Sequence, residues 1–240
     1  MPGSCEINQK DDAGQNPAVT QVIVLEMCHN PMKNYNYLAI DPGTHQAVIV
    51  DPAWQIEKIE SALIDAQASL SGVLITHSHP DHVHLARPVA EIYNCPIWMS
   101  KKEIAASGFK ARQLVGIDTD RWTVGEMSIE PIFTPGHTPG STCYRIGNNL
   151  FTGDVLFAEG CGICPDTTAA HDMFASLQRL KNRLKPQTRV FPGHSYGKPP
   201  GQKLSQLLKD NIYLQFSDKE SFAAFRLRRG QDTAKMFSFS

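Results

Sequence analysis

No apolar run in this 240-residue chain approaches the roughly 20 residues of a membrane-spanning helix. The polar stretch 1–20 lacks the apolar centre of a signal peptide, so export is not indicated and a cytoplasmic location is expected. Neither sign of charge is in excess: 23 Lys and Arg stand against 24 Asp and Glu. That balance excludes a nucleic-acid binder driven by bulk charge, and no Lys/Arg block suggests a membrane surface patch. Internal repeats and low-complexity linkers are missing as well. The six cysteines (Cys5, Cys28, Cys95, Cys143, Cys161, Cys164) are scattered, which fits reduced thiols better than a disulfide framework. Apolar residues make up 41% and charged residues 20%, which rules out wholesale disorder. Residues 1–20 are expected to form a loose tail and 21–240 a single domain.

Within that domain, strands are predicted at 21–27, 35–40 and 47–50, with Asp41-Pro42-Gly43-Thr44 as a hairpin turn. Ile56, Ile59, Leu63 and Ile64 have helical spacing. Gly72–Thr76 is a short apolar strand, followed by a predicted helix over 81–93. Strands follow at 127–133, 142–146, 149–151 and 189–191. Helices are predicted over 173–184, 203–214 and 218–228. Interleaved strands and helices imply an α/β chain of sheets covered by helices. The Pro/Gly cluster 197–201 is the one candidate boundary, and it is too short to separate independent domains.

The informative stretch is Thr76-His77-Ser78-His79-Pro80-Asp81-His82, directly after an apolar strand. His77 and His79, two apart, face the same way on an extended segment. Asp81 and His82 fall at the opening of the next helix, where backbone N–H groups favour a carboxylate. One loop thus offers four ligands, enough to serve two adjacent metals, and imidazole with carboxylate suits Zn, Fe, Mn or Co. Three further polar residues follow apolar strands in Gly/Pro turns: His137 in TPGHTPGS, Asp154 in FTGD and His194 in FPGH. Each alone reads as an ordinary turn residue; together with the His-rich loop they complete two metal shells. His29, His45 and His171 read as surface residues, and His84 as lying on or near a helix surface. Cys161 and Cys164 form a CxxC without a second pair and read as small apolar pocket groups.

These motifs, in this order from about 21 to 197, resemble the metallo-β-lactamase superfamily. The resemblance implies an αββα sandwich with a dinuclear site at one edge of two facing sheets. It implies two divalent ions, zinc foremost, with iron or manganese as alternatives. By motif match, His77, His79 and His137 would hold the first ion. Asp81, His82 and His194 would hold the second, with Asp154 bridging and Asp51, in the VDP turn, orienting a ligand from behind. Asp81 and Asp154 are the carboxylates expected to take part in catalysis.

Two close ions can share a water, lower its pKa and stabilise the oxyanion of an attacked carbonyl or phosphoryl. No further His or Glu motif is present to protonate a leaving group, which favours a thiolate leaving group and hence a thioester. Within the superfamily, Asn34-Tyr35-Asn36-Tyr37-Leu38, the Thr152–Phe157 segment with Gly160-Cys161-Gly162, and Gly193-His194-Ser195-Tyr196 resemble glyoxalase II. There Tyr196 would line the thiol-substrate pocket. Two features depart from that family. Ile163 stands where a Lys or Arg would grip glutathione, and the stretch after His194 is too short for its C-terminal helical domain. The segments Val190–Gly197, Asn211–Leu214, Phe222–Arg226, Val50–Trp54 and Gly160–Cys164 resemble the stand-alone zinc hydrolases of trans-acyltransferase polyketide biosynthesis. That implies removal of acyl groups from carrier-protein phosphopantetheine, with an acyl-carrier protein or a small acyl thioester as partner, and with Tyr196, Ile163 and Cys161 in the pocket. Arg226, Arg228 and Arg229 are expected at the channel mouth. A β-lactamase reading is disfavoured by the Asp at position 154, and a phosphodiesterase reading by the neutral charge.

Overall fold

Period-two patterning builds the first sheet. In the computed structural model, which describes residues 19–29 and 32–228, β1 (Gln21–His29) pairs antiparallel with β2 (Met32–Ile40). β2 pairs antiparallel with β3 (Gln46–Val50), and β4 (Ser69–Leu74), β5 (Ile97–Ser100) and β6 (Leu114–Ile117) continue in parallel. The strand order is β1-β2-β3-β4-β5-β6. Helices α1 (Ile56–Asp65), α2 (Pro80–Val83), α3 (Ala86–Ile92) and α4 (Lys101–Ser107) fall between these strands.

The second sheet holds β7 (Trp122–Val124), β8 (Met127–Phe133), β9 (Thr142–Ile146), β10 (Asn149–Gly153), β11 (Arg189–Pro192) and β12 (Gln202–Lys203), in the order β12-β11-β10-β9-β8-β7. Helix α5 (Thr167–Arg183) precedes β11, and α6 (Leu204–Asp210), a 3-10 turn (Ile212–Leu214) and α7 (Lys219–Arg226) follow β12.

Alternation decides which face meets what. Leu38, Ile40, Ala47 and Ile49 turn outward onto Ile59 and Leu63 of α1 and Val89 of α3. Tyr37, Ala39, Val48 and Val50 turn inward and meet Tyr144, Ile146, Phe151 and Phe191 of the second sheet. The outer face of that sheet packs Ile132, Leu150 and Val190 on Met173, Leu177 and Leu180 of α5, with Leu207 of α6 and Phe222 of α7. The result is the expected αββα sandwich. Phe151, fully buried with the Tyr37 and Phe191 rings 5.5 and 5.4 Å away, sits between the sheets; truncating it to Ala costs about 3–5 kcal/mol.

Several elements differ from the sequence reading. The single helix expected over 81–93 is two short ones. The Asp81 carbonyl accepts from Asn34 Nδ2 (2.7 Å), and the Leu85 N–H turns to the Pro52 carbonyl (3.0 Å), so the i→i−4 ladder breaks. Helix α5 starts at Thr167 rather than 173, because the Asp166 side chain caps it through the Ala169 N–H (2.8 Å). The helix expected over 203–214 ends at Asp210, where Asn211 diverts its side chain to other loops. The short strands β5, β6 and β7 and helix α4 were not anticipated. Residues 197–201 form no boundary: the Gly201 N–H bonds the Val190 carbonyl (2.7 Å) and β12 joins the sheet at once. Cys5, Arg229 and most of the expected tail lie outside the described residues.

The C-terminal ends of β3, β4, β8, β10 and β11 meet at one edge of the sandwich. Backbone bonds tie them there: Thr142 N–H to the Thr76 carbonyl (2.9 Å), Tyr35 N–H to the Gly193 carbonyl (2.8 Å), and Gly193 N–H to the Gly153 carbonyl (2.8 Å). Gly193 must be glycine, since a Cβ would stand 2.5 Å from His82 Cε1 and 2.6 Å from Asp154 Oδ1.

Candidate metal centre

Each candidate residue leaves a strand end and turns toward the same point. In the first cluster, His79 Nδ1 lies 3.1 Å from His77 Nε2 and 3.0 Å from His137 Nε2. In the second, His194 Nε2 lies 3.1 Å and His82 Nε2 3.6 Å from Asp81 Oδ2. Asp154 lies between: its Oδ2 is 3.6 Å from Nε2 of both His137 and His194, and its Oδ1 is 3.3 Å from His82 Nε2. All seven residues singled out in the sequence are therefore brought together.

The donors fit divalent metal ions. Nε2 of His82, Nε2 of His194 and Oδ1 of Asp154 are buried with no hydrogen-bond partner, a costly state for polar atoms that an ion among them would relieve. The far side of four of the five rings is spoken for. A carbonyl can only accept, so His137 Nδ1 donates to the Ile163 carbonyl (2.8 Å) and His194 Nδ1 to the Lys33 carbonyl (2.7 Å). His82 Nδ1 donates to Asp51 Oδ2 (2.9 Å). The Thr76 hydroxyl donates to Asp51 Oδ2 (2.6 Å) and accepts from His77 Nδ1 (3.1 Å). These bonds fix the tautomer that turns the Nε2 lone pairs of His77, His82, His137 and His194 inward.

Asp51 lies near His77 and His82 but behind them. Its Oδ1 accepts from the Thr76 N–H (2.8 Å) and its Oδ2 is spent on Thr76 and His82, which leaves it orienting both histidines. It holds a left-handed backbone (φ 50°), fixed by its own N–H on the Leu74 carbonyl (3.0 Å) and by Asn36 Nδ2 on its carbonyl (2.6 Å).

The two clusters differ electrostatically. Burial, with His82 and His137 nearby, holds the His77 imidazole well below the ordinary histidine range; burial and His137 lower His79 too. Burial also opposes charge at His82, but Asp154 and Asp51 outweigh it and hold that ring well above its usual range. Asp154 and Asp81 raise His194 against its burial in the same way. Burial is likewise overcome at Asp154, held well below the carboxylate range by His194 and His82, and at Asp81, lowered by His194.

Glu103 was missed in the sequence. Buried on α4, it accepts from the Ser78 N–H (2.8 Å) and Oγ (2.6 Å) with Oε1, and from Thr138 Oγ1 (2.7 Å) and the Gly140 N–H (3.1 Å) with Oε2. It therefore clamps the His77–His79 loop to the His137 loop. Its signature, Ser100-x-x-Glu103, reads as an ordinary capping box, and Ser100 does cap the Glu103 N–H (3.0 Å), but the carboxylate goes elsewhere.

A cleft of about 930 Å³ opens on His79, Asp81, His137 and Asp154. Its walls include the expected Cys161, Ile163 and Tyr196, together with Phe157 and Tyr213. Tyr196 is 37% exposed, its ring 5.4 Å from that of Phe157; burial and then Asp154 push its phenol up. Burial also pushes the Cys164 thiol up to about 11 and Cys161 beyond that, which keeps both as neutral wall groups. His29 and His84 are exposed, His29 stacked on the Trp54 ring and His84 tilted against it, His45 is exposed, and His171 is half-buried.

The arginines correct the sequence reading. Arg226 does not reach solvent at the channel mouth: it is 3% exposed, and its Nε donates to the Gly162 carbonyl (2.8 Å). Its helix turns Phe222, Ala223 and Arg226 inward on one face. Arg228 is exposed but folds back over the Phe225 ring, 3.8 Å from its centre.

No helix among the described residues is long and apolar enough to cross a membrane. Comparison with known proteins gives a consistent answer. The chain is 46% identical over 213 residues to the probable polyketide biosynthesis zinc-dependent hydrolase BaeB of Bacillus velezensis, covering 88% of this chain and 95% of that one. It is 43% identical over 200 residues to the probable polyketide biosynthesis zinc-dependent hydrolase PksB of Bacillus subtilis, covering 82% and 89%. Among solved structures, ETHE1 from Myxococcus xanthus superposes with a TM-score of 0.77 at 25% identity, covering 90% of this chain and 94% of that one. The model of the metallo-beta-lactamase superfamily matches residues 33–194, a stretch that carries every residue of both clusters, and the chain belongs to that superfamily.

Proposed function

We propose that this protein is a dinuclear zinc hydrolase of acyl thioesters, acting in polyketide biosynthesis on acyl groups carried by the phosphopantetheine arm of a carrier protein. The observation that carries the reading is the pair of clusters joined by Asp154 at the floor of an apolar cleft. His77, His79 and His137 would hold one ion, Asp81, His82 and His194 the other, and Asp154 would touch both. When bound, zinc supplies Lewis acidity and makes water acidic enough to serve as a nucleophile near neutral pH. Asp81 and Asp154, kept ionised by the imidazoles around them, would hold the ions and accept hydrogen bonds that orient the attacking water. A thiol of pKa near ~8.5 leaves as thiolate with little help, which suits a cleft whose histidines all belong to the first cluster.

Carrier-protein substrates are favoured over glutathione by the wall chemistry. Among the described residues lining the cleft there is no Lys or Arg, and Arg226 is buried, with its Nε on the Gly162 carbonyl. Glutathione carries two carboxylates that bind best to placed cations. The distal half of phosphopantetheine is uncharged amide and methylene, which Ile163, Phe157, Tyr196 and Tyr213 can line. The test offers acyl-carrier protein, acyl-N-acetylcysteamine and acyl-glutathione side by side. The expected result is higher kcat/KM for the first two, and a preference for acyl-glutathione would return the enzyme to glyoxalase II chemistry.

A further inference from the structure

Helix α7 is the last described element and supplies no residue to either cluster, yet it is linked to one of them. Arg226 Nε donates to the Gly162 carbonyl (2.8 Å), with the guanidinium 5.8 Å from the Tyr213 ring centre. The next residue, Ile163, gives its carbonyl to His137 Nδ1 (2.8 Å). Gly162 is wedged between the two: a Cβ there would stand 1.9 Å from the Asp154 carbonyl and 3.1 Å from His137 Cγ. The Gly162–Ile163 peptide therefore lies against the backbone of Asp154 and the ring of His137, with one carbonyl held by α7 and the next holding the histidine. The rings of the second cluster are oriented by other groups, His82 by Asp51 and His194 by the Lys33 carbonyl.

We infer that Arg226 is a positioning residue for the first cluster, acting through the Gly162–Ile163 peptide to fix the orientation of His137 and thereby the zinc affinity of that cluster alone. The inference rests on the reading that the clusters hold zinc. A buried arginine is costly to bring out of water, and a guanidinium suits this place because its Nε–H gives one directed bond to a backbone carbonyl. Loss of that bond leaves the Gly162–Ile163 peptide less constrained, and with it the carbonyl that orients His137.

The test is a zinc titration of the full chain against a competing chromophoric chelator, resolving two binding steps. His137→Ala identifies the step that belongs to the first cluster. Arg226→Lys keeps the charge but loses the directed Nε–H, and Arg226→Met removes both. Phe222→Leu, on the same buried face of α7, loosens the helix without touching Gly162. Partners behind metal ligands are worth about 10–100-fold in affinity, and Arg226 stands one peptide further back, so about a tenfold loss is expected in both arginine variants. That loss should fall on the His137 step only, while Phe222→Leu lowers the Tm and leaves both steps unaltered. If Arg226→Met does not fold, Arg226→Lys decides alone. Equal weakening of both steps, or two wild-type steps in the folded arginine variants, overturns the inference. A wild-type chain that takes up no zinc would instead defeat the metal reading beneath it.

Discussion

His77, His79 and His137 bring three imidazoles to one point, whereas Asp81, His82 and His194 mix carboxylate with imidazole. The consequence is visible in the charges. Histidines of the second cluster are held up, chiefly by Asp154 and also by Asp51 and Asp81, and its carboxylate is held down by those histidines, so opposite charges in and around it compensate even without an ion. In the first cluster His77 and His79 are pushed down by burial and by each other's neighbours, so nothing within it draws the rings together. Its geometry is imposed from outside, by the Glu103 clamp on Ser78, Thr138 and Gly140, by Thr76, and by the Ile163 carbonyl. A site with one self-compensating half and one scaffolded half should respond differently to damage on each side.

The largest expected effect breaks the comparison by removing what the halves share. Asp154→Ala takes away the carboxylate that faces both, and thioester hydrolysis should fall more than about a hundredfold, since residues merely behind ligands already cost 10–100-fold. Zinc content should drop below two per chain. Retention of full activity with two ions would remove Asp154 from the centre of the account.

Asp51→Ala strikes both halves from behind, through His82 directly and through Thr76 to His77. The expected outcome is about 10–100-fold weaker zinc binding, strongest at the step lost in His194→Ala, with a stability cost of about 1–3 kcal/mol for the unpaired Thr76 and His82 groups. Thermal melts of zinc-loaded and zinc-stripped protein separate the two losses.

Glu103→Gln should act on the scaffolded half alone. An amide cannot accept from all four donors that the carboxylate now satisfies, so the two loops lose part of their clamp. About tenfold weaker zinc binding is expected at the His137 step, with the second step unaltered. An equal effect on both steps would show that the clamp serves the whole edge of the sandwich.

The smallest effect sharpens the contrast without a mutation. In zinc-stripped protein, NMR titration should find His82 and His194 protonated above pH 6.5 and His77 and His79 neutral below it. The signs follow by linkage. The raised pair contributes stability that is fully present below pH 6.5 and lost as pH rises through the folded values. The lowered pair contributes stability that is present above pH 6.5 and lost as pH falls through the folded values. Four imidazoles titrating together near 6.5 would contradict the contrast.

The residues that meet in the two clusters were legible in the sequence because their chemistry is local. All eight polar residues of the site fall in such places: Asp51, His137, Asp154 and His194 follow a strand directly in a Gly/Pro or VDP turn, and His77, His79, Asp81 and His82 share one six-residue loop, so a strand reading and a motif reading coincide. The sandwich entered through the family resemblance: the unbroken apolar runs Tyr37–Ile40 and Ala47–Val50 mark strands buried on both faces, and only the structure shows which residues face α1 and which face the second sheet. Glu103 was not legible, because a Glu three residues after Ser100 announces a helix start and nothing in its neighbourhood announces the loops 25 and 35 residues away. Arg226 was misplaced because a terminal Arg cluster suggests a solvated helix end. Its spacing of four from Phe222, on the apolar face of α7, was the signal that places it inside. The strands β5 to β7 escaped because each has three or four residues, too few to show a period.

The most direct test of the central claim is a crystal of the zinc-loaded protein measured for anomalous scattering at the zinc edge. The account predicts two peaks per chain, one among Nε2 of His77, Nδ1 of His79 and Nε2 of His137, the other among Asp81, His82 and His194, with Asp154 reaching both. A single peak, or a second peak that Asp154 does not touch, would contradict it.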